Sequence, residues 1–464
     1  MLLSSFLSLL FATQALGGQI PVVDGVIGGV PGPETSFVQQ ADSVRLTTQA
    51  TTPGALRVTE NSGVCARQSP STAPLTLWFN GGPGSSSLIG LLQELGPCRI
   101  TNDSTSVTLN PFSWNTNSNI LFIDQPVGVG FSHGDMKVGT SQQAAADVWS
   151  FLQIFLKDSR FSGLASRDLA IWTESYGGHY GPTFAAYIFL SLYFLSQNAL
   201  IASGEITGIP LNLKVLGVGD GLTDPLVQYP GYIEYAASNP YHPLVNQSVI
   251  DRANTSWLQA GGCRDQTTAC YANGTDATCS AAQSFCNGRI LNPLAGDFDV
   301  YYVLARDPDP YPPPLDTYLA TVQEEIGAEV TWTKSNSRVH SNFAATGDWM
   351  RNSRPDLETV IDAGVRVIVY DGDADYILNF NGVEAMVDAL NTQFTPLYKR
   401  QVFQNYTVNG ELAGQFKNAG TFSYVRIYGA GHEVPAYKFG NLEVGEAALQ
   451  MFDQIMRNES LTPT

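Results

Sequence analysis

The chain has few basic residues, few histidines and few cysteines, and each shortage narrows its possible roles. Its 464 residues contain 24 Lys and Arg against 42 Asp and Glu, which gives a formal net charge of −18. This balance disfavours nucleic acid and anionic membrane surfaces as partners and suits an acidic or extracellular setting. The C-terminus shows no transmembrane or lipid-anchor tail, so we expect no membrane anchor.

Basic residues are also missing from the start of the chain, where the first one is Arg45. An apolar run followed by Ala15-Leu16-Gly17 predicts a cleaved signal peptide at residues 1–17, and an uncleaved N-terminal anchor is the alternative. Six sequons support passage through the secretory pathway, with an extracellular destination preferred to a vacuole or lysosome. Their acceptors are Asn102, Asn246, Asn254, Asn273, Asn405 and Asn458.

The six cysteines form an even set, which fits an oxidising compartment. Four of them, Cys263, Cys270, Cys279 and Cys286, crowd into one stretch that contains no histidine. A zinc site is possible there, but two nested disulfides, Cys263 with Cys286 around Cys270 with Cys279, are the preferred interpretation. Cys65 and Cys98 then remain for each other.

Short apolar runs separated by helix-length segments predict an α/β fold with a mostly parallel sheet. The runs are 75–79, 120–123, 169–172, 215–218, 365–370 and 422–427. Between them, residues 224–351 carry the clustered cysteines, three sequons and a proline-rich stretch, which indicates an inserted cap subdomain. The core would then comprise residues 18–223 and 352–464.

The segment Trp172-Thr173-Glu174-Ser175-Tyr176-Gly177-Gly178 is the strongest single signal of chemistry. It places a serine at a turn between an apolar strand and small residues, as in a nucleophile elbow, where the serine hydroxyl stands exposed above the sheet. The first glycine of the usual pattern is replaced here by Thr173. The turn must therefore accommodate a β-branched side chain.

A serine nucleophile needs a histidine base and a carboxylate that orients the histidine. Only five histidines are present. His432 follows a glycine, precedes Glu433 and lies just after the last apolar run, which makes it the candidate base. His179, on the segment after Ser175, is better explained as structural. The run 365–370 ends in three candidate acids, Asp371, Asp373 and Asp375. The order serine, acid, histidine is that of α/β hydrolases.

A glycine-rich turn follows the first apolar run of the core, as Asn80-Gly81-Gly82-Pro83-Gly84. It lacks the lysine and the spacing of a phosphate-binding P-loop. A glycine turn near the nucleophile suits an oxyanion hole, with the backbone N–H of Tyr176 as the second donor.

Taken together, these motifs resemble the serine carboxypeptidases of the carboxypeptidase Y type, over most of the chain. The resemblance rests on 78–84, 123–132, Glu174-Ser175-Tyr176, Gly219-Asp220-Gly221 with Asp224-Pro225, 372–375 and Gly431-His432. It implies an α/β-hydrolase fold and hydrolysis at peptide or protein C-termini without metal or cofactor, by a monomer or homodimer.

The resemblance also implies roles for individual residues. It selects Asp375 as the acid of a triad with Ser175 and His432, and Gly82 with Tyr176 as the oxyanion hole. A clamp for the substrate carboxylate would comprise Trp78, Asn80, Gly81, Glu174 and Glu94. Because a glutamate repels a carboxylate unless a proton is shared, Glu174 and Glu94 should titrate as a coupled pair with at least one raised pKa.

Two departures from the family carry further expectations. Ser85 stands where many relatives have a cysteine, so a disulfide from this loop to the cap is not expected, and the anchoring of the loop is in question. Glu433 stands where others have methionine, which adds a negative charge beside His432 and predicts better acceptance of Lys or Arg near the cleaved bond. An esterase or acyltransferase on the same scaffold, and a non-catalytic protective or binding role, are the alternatives.

Overall fold

The structure, a computed structural model, describes residues 36–39, 58–61, 72–186 and 194–464. The predicted signal peptide at 1–17 and Cys65, the predicted partner of Cys98, lie outside these residues. Among the helices of the described ranges, none is both long enough and apolar enough to cross a bilayer.

An eight-stranded sheet forms the centre of the described structure, in the order β10-β11-β12-β9-β8-β7-β3-β6. The six strands from β12 to β6 are parallel, and β10 and β11 extend the sheet antiparallel at one side. Two further antiparallel pairs, β1 with β2 and β4 with β5, lie apart from it. The strands are β1 Ser36–Gln39, β2 Val58–Asn61, β3 Leu75–Phe79, β4 Cys98–Ile100, β5 Val107–Leu109, β6 Asn119–Phe122, β7 Asp168–Glu174, β8 Asn212–Gly219, β9 Arg366–Gly372, β10 Gln404–Val408, β11 Glu411–Ala419 and β12 Phe422–Ile427.

All six apolar runs of the sequence analysis lie in the parallel part of the sheet. Every residue of β3, β6 and β9 is buried, as expected of parallel strands covered by helices on both faces. The predicted α/β-hydrolase class, with its mostly parallel sheet, is confirmed. The antiparallel strands β10 and β11 were not predicted, because their buried and exposed residues alternate without a continuous apolar run.

Helices connect and cover the strands. The α-helices are Ser141–Phe155, Gly177–Ala185, Phe194–Ser203, Pro225–Ala237, Gln247–Leu258, Cys263–Asn273, Asp276–Cys286, Asn292–Leu294, Asp316–Val322, Ser337–Thr346, Arg354–Asp362, Phe380–Asp388, Thr395–Tyr398 and Glu446–Met456. Short 3₁₀ or π turns occur at Gly90–Glu94, Trp114–Thr116, Ser162–Leu164, Asn287–Leu291, Asp348–Met350 and Val434–Ala436.

The chain between β8 and β9 is helical and contains the cysteine cluster. Cys263 pairs with Cys286 and Cys270 with Cys279, with Cα–Cα distances of 5.1 and 4.8 Å. The nested disulfide prediction is confirmed for these four residues, and the alternative of a zinc site is wrong because their sulfurs are consumed in the two bonds. The disulfides tie the two helices Cys263–Asn273 and Asp276–Cys286 into a hairpin.

Glycines in β8 let two large aromatic side chains pack against the strand. A Cβ atom at Gly217 would lie 2.1 Å from the Trp172 ring, and one at Gly219 would lie 2.4 Å from the Tyr370 ring. These rings belong to β7 and β9, the neighbours of β8. The spacing of the three central strands therefore depends on the missing side chains.

We predict that Gly217→Ala lowers the free energy of unfolding by roughly 1–3 kcal/mol or more, because the new methyl group cannot fit beside Trp172 without moving a strand. Chemical denaturation with tryptophan fluorescence would measure this. Gly163→Ala is the matched control, since a Cβ atom there meets nothing within 4 Å. Equal stability of the two variants would contradict the packing argument.

Candidate active site

Ser175 lies at a sharp turn between the end of β7 and the helix Gly177–Ala185. Its φ of 67° is left-handed, which is uncommon for a residue with a side chain and is typical of a strained nucleophile elbow. The turn is held by hydrogen bonds from Ser175 N to the Gly219 carbonyl at 2.9 Å and from Leu222 N to the Ser175 carbonyl at 3.0 Å. Ser175 remains partly exposed while its neighbours are buried.

Thr173, the departure from the usual elbow pattern, is accommodated by glycines on the following helix. A Cβ atom at Gly177 would lie 2.5 Å from the Thr173 Cβ, and one at Gly181 would lie 2.9 Å from Thr173 Oγ1. The Thr173 hydroxyl donates to the Gly177 carbonyl at 2.9 Å. The branched side chain thus occupies the space that these glycines leave and satisfies its own hydroxyl.

The glycine-rich loop passes directly beside this elbow. A Cβ atom at Gly81 would lie 2.3 Å from the Tyr176 nitrogen and 2.9 Å from the Ser175 Cβ, so only glycine permits the approach. Gly82 follows with a φ of 103°, also reserved for glycine. The loop therefore brings its backbone to the N–H of Tyr176, where an oxyanion hole was predicted.

The glycine-rich loop, for which no disulfide to the cap was expected, is anchored by backbone hydrogen bonds. Ser85 forms an isolated bridge with Ser335, and Asn336 N donates to the Gly84 carbonyl at 3.0 Å. Trp332 Nε1 adds a hydrogen bond of 2.9 Å to Ser86 Oγ. The segment before the helix Ser337–Thr346 therefore holds the loop without a covalent link.

His432 and Asp375 meet at the carboxyl ends of β12 and β9. His432 Nδ1 lies 2.8 Å from Asp375 Oδ2, and both side chains are buried. The backbone N–H groups of Ile377 and Leu378 donate to the Asp375 carboxylate at 2.9 and 3.2 Å. Because Nδ1 is engaged by the carboxylate, Nε2 is the ring nitrogen left to act as a base.

Electrostatics around His432 favour the imidazolium form that a general base passes through. Burial disfavours charge on the ring, but the Asp375 carboxylate and its hydrogen bond, together with the charges of Glu433 and Glu94, raise the pKa of His432 above the ordinary value. The His432 charge in turn opposes the effect of burial on the Asp375 carboxyl. The pair can therefore accept the proton of a nearby hydroxyl and hold the resulting charge.

The competing candidates from the sequence have other partners. Asp371 accepts from the Tyr424 hydroxyl at 2.9 Å, and Asp373 accepts from Gly429 N at 2.8 Å and from the Tyr241 hydroxyl. Buried His179 contacts the Leu222 carbonyl through Nδ1, and burial lowers its pKa. The structural interpretation of His179 fits this position.

The predicted clamp residues converge around the side chain of Asn80. Its Oδ1 accepts from Trp78 Nε1 at 2.7 Å and from Gly90 N at 3.0 Å. Its Nδ2 donates to Glu94 Oε1 at 3.0 Å and to Glu174 Oε1 at 3.1 Å. Asn80 therefore holds two buried carboxyl groups side by side, and one of them belongs to Glu174, the residue that directly precedes Ser175.

Two adjacent buried carboxyl groups cannot both ionise easily. Burial raises the pKa of Glu94 to about 7. Burial, followed by the charge of Glu94, raises the pKa of Glu174 well above its ordinary value. At acidic pH both carboxyl groups hold protons that they can donate to an anionic ligand, and the pair gives up the first of these protons as pH rises through about 7.

Glu433 lies buried beside His432, with Oε2 lacking a hydrogen-bond partner among the described residues. Burial raises the pKa of its carboxyl group, and the charges of His432 and of Lys334 oppose that shift. Glu433 thus places an ionisable group next to the base.

Two supporting carboxylates were not found from the sequence. Asp348 accepts hydrogen bonds from the Tyr176 hydroxyl and from Ser141 Oγ, and it lies 172 residues away from Tyr176. Asp124 accepts from Ser86 Oγ at 2.7 Å and from Phe131 N at 2.9 Å, which supports the glycine-rich loop from behind. Asp124 lies within the motif 123–132, which indicates importance but does not identify a partner, whereas Asp348 lies in no motif of the sequence.

Comparisons with known proteins agree with the geometry. The family model described as Serine carboxypeptidase matches residues 63–458. Carboxypeptidase S1 of Penicillium janthinellum is 40% identical over 404 residues, which cover 86% of this chain and 92% of that protein. Carboxypeptidase Y of Schizosaccharomyces pombe is 37% identical over 399 residues, which cover 84% of this chain and 38% of that protein.

Among solved structures, the prohormone-processing carboxypeptidase Kex1(delta)p of Saccharomyces cerevisiae matches with a TM-score of 0.68. The match covers 83% of each chain at 23% sequence identity, and it supports the fold.

We predict that Asp375→Asn lowers the rate constant kcat of any serine-dependent hydrolysis by roughly 10³- to 10⁴-fold, because the amide favours the wrong tautomer of His432. Asp371→Asn, which replaces a buried carboxyl group near the end of β9, four residues before Asp375, should change kcat little. Steady-state kinetics of the two purified variants would measure both effects. A larger loss in the Asp371 variant would reassign the acid.

Proposed function

The chain belongs to the serine carboxypeptidase family and is a serine-type carboxypeptidase, and we propose that it works at acidic pH through an acyl-enzyme on Ser175. The observation that carries this proposal is the pair of buried carboxyl groups that Asn80 holds beside the nucleophile elbow. A carboxypeptidase needs a group near its nucleophile that recognises the free C-terminal carboxylate of its substrate. Peptide C-termini are thus the substrate class.

The proposed reaction has two halves. His432 Nε2 removes the proton of the Ser175 hydroxyl as the oxygen attacks the last peptide carbonyl, and then gives this proton to the departing amino acid. Water attacks the resulting ester with the same histidine as base, which releases the shortened peptide and restores Ser175. Asp375 keeps Nδ1 protonated and stabilises the imidazolium during both halves.

The carbonyl oxygen that becomes negative during each half needs donors that are already in place. We assign this role to the backbone N–H groups of Gly82 and Tyr176, because the glycine loop packs against the Tyr176 nitrogen. Buried Tyr176, held through its hydroxyl by Asp348, gives that donor a rigid position.

The clamp sets both the exopeptidase specificity and the pH range. A protonated Glu174 or Glu94 can donate a hydrogen bond to the substrate carboxylate, whereas an ionised pair repels it. We assign Trp78 and Asn80 to orient the pair, and the backbone of Gly81 to contact the substrate carboxylate. Binding of a free acid should therefore begin to weaken as pH rises through about 7 and the pair gives up its first proton.

We further propose that the chain enters the secretory pathway, reaching the extracellular space or a vacuole, and that residues 224–351 form a cap over the site. Five of the six predicted glycosylation acceptors are exposed in the described structure, at Asn102, Asn246, Asn254, Asn405 and Asn458. The high share of acidic residues suits such compartments.

The decisive assay follows release of the C-terminal amino acid from an N-blocked dipeptide and from its C-terminal amide, from about pH 4 to about pH 8. We expect faster release from the free acid, with a KM that rises towards neutral pH, because the clamp then loses its protons. The amide should show a flatter KM profile. Ser175→Ala should abolish release from both substrates.

Other outcomes of this assay point to other functions. Cleavage of an ester analogue without peptide cleavage would favour an esterase or acyltransferase. Absence of any Ser175-dependent turnover would favour a protective or binding role.

Glu433 supplies a prediction about substrate preference. Because burial raises the pKa of its carboxyl group, it should ionise as pH rises and should then favour Lys or Arg side chains near the cleaved bond. The ratio of kcat/KM for basic and apolar substrates should increase with pH in the wild type and stay flat in Glu433→Met. An unchanged ratio and profile in that variant would remove Glu433 from the specificity site.

A further inference from the structure

A third carboxyl group, that of Asp220, lies beside the histidine–aspartate pair without an assigned role. Asp220 follows the last residue of β8, the strand between β7, which carries Ser175, and β9, which leads to Asp375. Gly219 accepts from Ser175 N at 2.9 Å, and Asp220 N donates to the Tyr370 carbonyl at 2.8 Å. The backbone at Asp220 thus joins the nucleophile turn to the strand of the acid.

The Asp220 side chain points towards the same site. Its Oδ1 accepts from Gly372 N at 3.0 Å, at the start of the loop that carries Asp375. One carboxylate oxygen of Asp220, one carboxylate oxygen of Asp375 and one ring nitrogen of His432 all lie within 4.8 Å of one another. Asp220 is completely buried, and its Oδ2 has no hydrogen-bond partner among the described residues.

The backbone of Asp220 is held in an unusual conformation. Its φ is 40°, in the left-handed region that Asp and Asn tolerate better than most residues. A strained residue next to an active site indicates that surrounding contacts enforce its position. This backbone conformation places the Asp220 carboxyl group beside Asp375 and His432.

The ionisable groups that face Asp220 are mostly carboxyl groups. They come from Asp375 and Asp371 on or after β9, from Glu433 beside His432, and from Glu174 on β7. The Tyr235 and Tyr370 hydroxyls also lie near it, and burial raises the pKa of both. The neighbouring cation, His432, is already paired with Asp375. An ionised Asp220 would have one backbone N–H as its donor.

We propose that Asp220 is a positioning residue of the triad that acts as a neutral carboxylic acid. Its Oδ1 fixes Gly372, and its protonated Oδ2 contributes a hydrogen-bond donor, rather than a second negative charge, on the Asp375 side of the pair. Burial, with the charges of Asp375 and Asp371, raises the pKa of Asp220 well above the ordinary value, in agreement with this assignment. The inference rests on the proposed catalytic role of Asp375 and His432.

The neutral state of Asp220 has a consequence for the base. His432 must be uncharged to accept the serine proton, and every negative charge near it raises its pKa and so moves the acid limb of activity to higher pH. A protonated Asp220 spares His432 one such charge. The enzyme thereby keeps a functional base at lower pH than two ionised aspartates would allow.

The test compares the pH dependence of kcat/KM, with an N-blocked dipeptide as substrate, in the wild type, Asp220→Asn and Asp220→Ala. Asparagine tolerates the left-handed backbone, accepts from Gly372 N and carries a donor in place of the protonated oxygen. We expect its acid limb to coincide with that of the wild type. Asp220→Ala should lose at least about tenfold in kcat, because the loop that carries Asp375 is released.

Two results of this comparison would overturn the proposal. If Asp220 is ionised in the wild type, Asp220→Asn removes a charge near His432, and its acid limb moves to lower pH by on the order of one unit or more. That shift, or a fully active Asp220→Ala, would overturn the proposal. If Asp220→Asn does not fold, as judged by circular dichroism, Asp220→Ser carries the same test of the acid limb.

A control variant separates this effect from the general removal of a buried carboxyl. Asp356 is partly buried on the helix Arg354–Asp362, and its carboxylate accepts a hydrogen bond from Thr183 Oγ1 at 3.4 Å. Asp356→Asn should leave the acid limb and kcat unchanged. A strongly reduced kcat in Asp375→Asn together with a shifted acid limb in Asp220→Asn would overturn this inference and leave the proposed function standing. Full activity in Asp375→Asn would remove the premise of both.

Discussion

The parallel pairing of β7, β8, β9 and β12 is the constraint on which the rest of the active site depends. Parallel strands end at the same edge of a sheet, so the turns after these four strands meet although they are far apart in the chain. Ser175 follows β7, Asp220 follows β8, Asp375 follows β9 and His432 follows β12. Glycines in β8 preserve the spacing, because Trp172 and Tyr370 occupy the places of absent side chains.

A second theme is the concentration of buried acidic groups around one histidine. Glu94, Glu174, Asp220, Asp375 and Glu433 all lie inside the protein near His432. Burial of so many carboxylates as anions would be costly, and burial raises the pKa of each. A site of this kind is most favourable when several of the groups hold protons, which agrees with the acidic working pH proposed above.

Sequence patterns predicted the strands that form continuous apolar runs and the motifs at their ends. They did not predict β10 and β11, whose alternating burial reflects antiparallel strands at the side of the sheet. The sequence left open how the glycine-rich loop is anchored. A sequence shows that a cysteine is missing, but it does not show a backbone bridge such as the one between Ser85 and Ser335. The sequence also did not show how the elbow accommodates Thr173, because this depends on Gly177 and Gly181 across the turn.

The sequence by itself determined the parallel-sheet class, the serine of the elbow, the histidine and a choice of three acids, because these follow from local runs and motifs. The tertiary structure decided which acid reaches His432, since Asp371, Asp373 and Asp375 lie within five residues but face different partners. It also decided that the pKa values of Glu94 and Glu174 are raised and where Asp220 lies. Burial and the distance between carboxyl groups set those properties, and both exist only after distant segments have packed together.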